Sequence, residues 1–139
     1  MVAAIGVDSD PVVIAGIGTD IVATARIAKV YERHGERFLE RTYRDAEREY
    51  CLAARDPTER LAARWAAKEA VMKALGSGWA RGVQFKDIEI ARDESGKPSI
   101  VLHAAAAELA AAQGIAAWHC SISHADGMAV AYVIAESAV

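Results

Sequence analysis

Residues 56–76 read DPTERLAARWAAKEAVMKALG, and they carry the clearest helix signature in the chain. Asp56 stands where a cap is expected, Pro57 suits the first helical position, and Glu59 would complete a capping box. Gly76 supplies the stop. On a wheel of about 100° per residue, Leu61, Trp65, Met72 and Leu75 form one apolar stripe, the face expected to be buried.

Upstream, Val12 to Ile17 is apolar and rich in β-branched residues. With Gly16 and Gly18 close behind, it predicts a buried strand running into Asp20. A helix is expected from Thr24 to His34, stopped by Gly35, and a short one from Asp45 to Ala54 with Thr42 as its cap. Downstream, Gln84 to Arg92 alternates as a strand, and 93–98 (DESGKP) reads as a hairpin turn into a partner strand at Ser99–His103. Ala104 to Gln113 is an alanine-rich helix closed by Gly114. Two last strands, Ile115–Ser123 and Met128–Ala135, meet across Ala125-Asp126-Gly127. The expected fold is α+β, a mostly antiparallel sheet beside several helices. It forms one domain over residues 12–139 after a leader of residues 1–11.

The chain has 139 residues, 53% of them hydrophobic, and much of that share is alanine. Alanine buries little area, so a surface shared with other copies is expected to supplement the core. A net charge of −3 argues against bulk attraction to nucleic acid or an anionic membrane. No unbroken apolar run reaches the roughly 18 residues that would span a bilayer. Cys51 and Cys120 are too few for a disulfide framework and read as reduced thiols. A cytoplasmic protein is the expectation.

Several residues could carry chemistry. Asp20 ends a buried strand just before a helix; taken alone, it reads first as a turn or capping aspartate. Glu69 lies at the edge of the apolar stripe, and Lys73 follows at i+4, an ordinary helix-stabilising pair. Asp20 and Glu69 together could also hold Mg²⁺, with phosphate oxygens and water as the other ligands. Lys68 falls on the centre line of the apolar stripe, where a charge needs a partner. It either snorkels past the core edge or reaches a bound anion. Gly76-Ser77-Gly78 would leave amides open to a phosphate. His119, Ser121 and Ser123 share a strand face, and His124 starts the turn, where it is a turn residue or a phosphate donor. No nucleophile elbow accompanies these serines and histidines. In the first helix Arg26, Lys29, Arg33 and Arg37 make a basic seam within about 80° on an ideal wheel. Residues 24–41 hold five basic and three acidic side chains, a surface suited to an acidic partner.

In order along the chain, Gly16-Ile17-Gly18-Thr19-Asp20-Ile21-Val22, Arg26-Ile27, Arg64-Trp65-Ala66-Ala67-Lys68-Glu69-Ala70, Lys73-Ala74-Leu75-Gly76-Ser77-Gly78, Asp87-Ile88-Glu89-Ile90, Gly96-Lys97-Pro98 and Ser121-Ile122-Ser123-His124 resemble the holo-acyl-carrier-protein synthase group of phosphopantetheinyl transferases. The resemblance spans about residues 13–136. It implies a Mg²⁺-dependent transfer of 4'-phosphopantetheine from coenzyme A to a serine of an acidic acyl carrier protein of fatty-acid or polyketide synthesis. Asp20 and Glu69 are implied as metal ligands, and Lys73 as a contact to the diphosphate. Arg64, Lys68, the Gly76-Ser77-Gly78 loop and His124 are implied in holding coenzyme A. Arg26, Arg33, Arg37 and Phe38 are implied in docking the carrier. A homotrimer with active sites between subunits is implied as well. Glu69, Lys73 or a metal-bound water would take the serine proton. A hydrolase that splits the coenzyme A diphosphate with water and a carrier-binding module without catalysis are the rival readings.

Overall fold

The structure is a computed structural model, and its described residues are 11–77 and 82–138. The expected leader, apart from Pro11, therefore lies outside the described residues, as do Gly78 and Val139. The elements in chain order are β1 (Val12–Ala23), α1 (Thr24–His34), α2 (Glu36–Thr42), α3 (Asp45–Leu52), α4 (Thr58–Leu75), a short 3-10 turn (Phe85–Asp87), β2 (Ile88–Arg92), β3 (Pro98–Leu102), α5 (Ala104–Ala112), β4 (Ile115–Ala125) and β5 (Met128–Ala138). The fold is α+β, as expected. A three-stranded antiparallel sheet runs in the order β1-β5-β4, and β2 and β3 form a separate antiparallel hairpin.

The long helix α4 lies across the inner face of the larger sheet, and two glycines of β1 explain how closely. A methyl group on Gly18 would sit 1.7 Å from the Ala70 carbonyl oxygen, and one on Gly16 would sit 2.2 Å from that of Ala74. Both obstacles are backbone, so only glycine lets strand and helix touch here. The alanines of α4 serve the same end. Ala62, Ala63, Ala66, Ala67, Ala70 and Ala74 are buried along with Leu61, Met72 and Leu75. Against them β5 presents Ala129, Ala131, Val133 and Ala135, all buried. The apolar stripe read from the wheel is thus one part of a helix enclosed on most sides. Trp65 is its least buried member and stacks on Phe85 with ring centroids 5.6 Å apart.

Period-two alternation gives β1 two unlike faces. Gly18 and Val22 point into the core, while Val13, Ile17 and Ile21 are exposed. On the same outer face, Ile17 registers with Ile134 and Thr19 with Tyr132, and both β5 residues are exposed.

Several boundaries differ from expectation. Gly35 does stop α1, with φ +50°, but it also opens α2, in which Phe38, Leu39 and Thr42 are buried. Thr42 is thus the last residue of α2 and not a cap for α3. Asp56 Oδ1 accepts the Thr58 N–H at 3.0 Å, but Glu59 pairs with His124 instead of closing a capping box. Residues 85–87 form the 3-10 turn, so β2 begins only at Ile88. The last hairpin closes through Asp126 and Gly127, both at positive φ, the geometry of a type I′ turn.

Candidate active site

Where α4 presses on β1, the next inward-facing residue after Gly18 is Asp20. Its side chain is 14% exposed. One carboxylate oxygen accepts from Lys73 Nζ at 3.1 Å, while the same ammonium donates to the Thr19 carbonyl at 2.8 Å. The other oxygen, Oδ2, is buried and has no hydrogen-bond partner. Glu69, one turn before Lys73, belongs to the same group. Burial pushes its carboxyl above the usual range, the nearby Asp20 charge pushes it further, and Lys73 and Arg26 pull it back. A charge on Asp20 that acts on Glu69 means that the two carboxylates lie near each other.

A buried carboxylate oxygen without a donor is costly unless something else meets it. Here the unmet atom is an acceptor beside a second acidic group, so a cation is what fits. Among the described residues no cluster of three or more His, Cys, Asp or Glu side chains gathers. Two carboxylates suit Mg²⁺, which keeps waters and takes substrate phosphate oxygens as its remaining ligands. Lys73 is 54% exposed and spends two of its three ammonium protons on β1. The third is available to an anion.

The other expected site residues scatter more widely. Lys68 is fully buried, and its three protons go to Glu47 Oε1 at 2.8 Å, the Phe85 carbonyl at 3.0 Å and the Ile88 carbonyl. Glu47 completes the knot by accepting the Ile90 N–H. Burial lowers the Lys68 pKa, and Glu47 partly offsets this. The expected contact of Lys68 with coenzyme A is therefore corrected: this lysine joins α3, α4 and β2. Open amides at Gly76 and Ser77 are corrected too. The Gly76 N–H bonds to the Lys73 carbonyl, and the Ser77 N–H and hydroxyl both turn back to the Met72 carbonyl, closing the helix as a Schellman-type end.

His124 sits at the end of β4, its Nδ1 against Glu59 Oε1, in a cleft of about 310 Å³ that Asp56 and Asp126 also line. Arg64 lies about two and a half turns before Lys73, on the part of α4 that meets Tyr50. Arg26 stands over Trp65, 5.3 Å from the ring centroid, and acts on Glu69. The basic seam does not run on as one helix face, because α1 ends before Arg37. Arg33 lies beside Lys29. Arg37 lines a separate groove of about 990 Å³ with Phe38, Arg41, Trp65, Phe85 and Lys86. Phe38 is itself buried against Tyr43 and forms groove wall instead of projecting. Neither cysteine competes for a catalytic role. Both are free and buried, and burial pushes each thiol up to about 11, so neither is a thiolate near neutral pH.

Residues 16–133 match the family model described as the 4'-phosphopantetheinyl transferase superfamily. The chain belongs to that superfamily. It is 47% identical over 123 residues to the holo-[acyl-carrier-protein] synthase of Koribacter versatilis, covering 88% of this chain and 98% of the relative. Among solved structures, the Neisseria meningitidis holo-[acyl-carrier-protein] synthase superposes with a TM-score of 0.81 at 36% identity, covering 88% of this chain and 98% of that one. The Helicobacter pylori synthase, solved in complex with coenzyme A, gives 0.76 at 36% identity, covering 86% and 98%. This phosphopantetheinyl transferase chain thus spans nearly the whole length of these relatives.

Proposed function

We propose that this chain transfers the 4'-phosphopantetheine group from coenzyme A to a serine of an apo-acyl carrier protein, in a Mg²⁺-dependent reaction that leaves adenosine 3',5'-bisphosphate. The observation that carries the reading is the unmet Asp20 oxygen set beside Glu69 and Lys73, in a chain of this superfamily. Asp20 and Glu69 would hold the magnesium ion, which when bound neutralises charge building on the diphosphate. Lys73 reaches the same oxygens with its free proton while Thr19 and Asp20 hold its ammonium in place. The carrier hydroxyl forms the new bond to the β-phosphorus as the bond to the bridging oxygen breaks, and that oxygen leaves on the nucleotide. Mass spectrometry of the carrier tests the reading: incubation with coenzyme A and Mg²⁺ should add one phosphopantetheine. Steady release of adenosine 3',5'-bisphosphate without carrier, and no mass gain with it, would instead mark a hydrolase.

Carrier docking in this reading falls to Arg26 and Arg33 on α1 and to the groove holding Arg37 and Phe38. Arg33→Glu should raise the carrier KM several-fold and flatten its salt dependence. Steady-state kinetics across ionic strengths checks this, and an unchanged salt profile would move docking elsewhere.

The working unit in this reading is a homotrimer, and the setting is the cytoplasm. What supports assembly is the outer sheet face, where Ile17, Ile21 and Tyr132 are each about 60% exposed on a chain whose core is built largely of alanine. An apolar patch of this kind is the usual mark of an interface. Light scattering should return the mass of three chains, and Ile21→Asp should shift it toward one. A wild-type mass of one chain would contradict the assembly. Two unpaired cysteines suit a reducing compartment.

A further inference from the structure

Glu47 is buried in α3, and its carboxylate gathers bonds from three other places in the chain. Oε1 accepts from Lys68 Nζ of α4 at 2.8 Å and from the Arg44 N–H at 3.0 Å, and Oε2 accepts the Ile90 N–H of β2 at 3.1 Å. Lys68 carries the network onward to the carbonyls of Phe85 and Ile88. Arg44 extends it too, its Nε donating to the Lys86 carbonyl at 2.8 Å. Glu47 and Lys68 are 2% and 0% exposed, so neither charge meets a partner at the surface.

The network ends on one wall of a groove. Phe85 and Lys86, whose carbonyls it holds, line the groove of about 990 Å³ together with Arg37 and Phe38. The 3-10 turn that carries them has three residues. It closes through the Asp87 N–H on the Gln84 carbonyl and the Gln84 N–H on the Asp87 carboxylate. A turn this short has weak internal bonding and takes its place on the protein from anchors outside it. Those anchors stand beside the site: Lys68 immediately precedes Glu69 on α4, and Phe85 stacks on Trp65, whose ring also carries Arg26.

A buried ion pair is weak evidence for stability, since well-packed apolar residues can replace it at little cost. Apolar residues could not, however, tie one ammonium to two carbonyls and one carboxylate to an N–H of another element. The return from this pair is therefore geometric. We propose that Glu47 and Lys68 are positioning residues for the carrier substrate: they hold the groove wall at Phe85 and Lys86 preformed, so that an acidic carrier does not have to order it on binding. The inference rests on the docking groove proposed above. It adds two residues that act through the groove without touching carrier or coenzyme A.

Two variants test it. Glu47→Leu combined with Lys68→Met removes both charges at similar volume, which keeps the fold. Lys68→Arg keeps the charge, but its planar fork cannot place three donors from one atom. Each should raise the carrier KM about tenfold and leave kcat within about twofold, the pattern of lost binding without lost chemistry. Calorimetric affinity for coenzyme A should not change. The salt dependence of the carrier KM should also stay as in the wild type, because neither charge reaches solvent. Hydrogen exchange gives a readout besides activity: amides of residues 85–88 should exchange about tenfold faster in the variants, while those of α4 keep their protection. An unchanged carrier KM, or unchanged exchange at the turn, overturns the proposal. So does a loss of coenzyme A affinity and kcat as large as the rise in KM, or failure of both variants to fold, since either makes the pair a requirement of the fold as a whole. Absence of carrier modification by the wild type would count instead against the proposed function, whereas exchange at the turn tests the hold on the wall independently of it.

Discussion

Asp20→Ala and Glu69→Gln are each expected to lower carrier modification by at least about 10²-fold, the usual cost of losing a charged group aimed at the reacting centre. Neither should unfold the protein. Asp20 Oδ2 bonds to nothing in the fold and Oδ1 accepts only from the half-exposed Lys73 ammonium, so removing the carboxylate frees no buried donor. Glu69 is held against a gradient, with its carboxyl raised by burial and by Asp20. A carboxyl whose folded pKa is raised binds more protons in the folded than in the unfolded state, so stability falls as pH climbs through the carboxylate range. A neutral amide at that position should leave thermal stability at pH 7 equal or slightly higher without added Mg²⁺. Single-turnover transfer and thermal melts on the same preparations check both halves. Near-normal transfer in either variant would remove that carboxylate from the mechanism, whereas collapse of the melt would mean a structural role.

Gly18→Ala should cost more than about 3 kcal/mol, because the added methyl meets a backbone carbonyl that no rotamer change can move aside. In a chain of this size the melting temperature should drop by about 10 °C or more. The change should also lower transfer in whatever protein remains folded, since pushing α4 off β1 draws Glu69 and Lys73 away from Asp20. Thr19→Ala, on the opposite face of the same strand, should have a much smaller effect on the melt. An unchanged melt for Gly18→Ala would contradict the direct seating of α4 on the strand.

What the sequence made legible was local. The span of α1, the end of α4 and the turn at Asp126-Gly127 follow from glycines, caps and periodicity that act over a few residues. α2 was not legible, because Gly35 reads as a stop and nothing nearby says that the same residue also starts the next helix. Lys68 shows the limit more sharply. Its position on the apolar stripe demanded a partner, but Glu47 stands 21 residues upstream on another helix, and no local pattern links them. Glu59 departs from its expected capping role for a similar reason: His124, brought over by the sheet, pairs with its carboxylate. Asp20, Glu69 and Lys73 were singled out from residue type and resemblance together, while their nearness follows only from the glycine-lined contact of β1 with α4.

Calorimetric titration of Mg²⁺ into the chain already bound to coenzyme A is the most direct measurement to make next. One ion should bind per chain, Asp20→Ala and Glu69→Gln should each weaken it by about 10²-fold, and the double variant should lose little beyond either single one, as for two ligands of one ion. Unaltered Mg²⁺ binding in either single variant, or losses that simply add, would show that the two carboxylates do not share a cation.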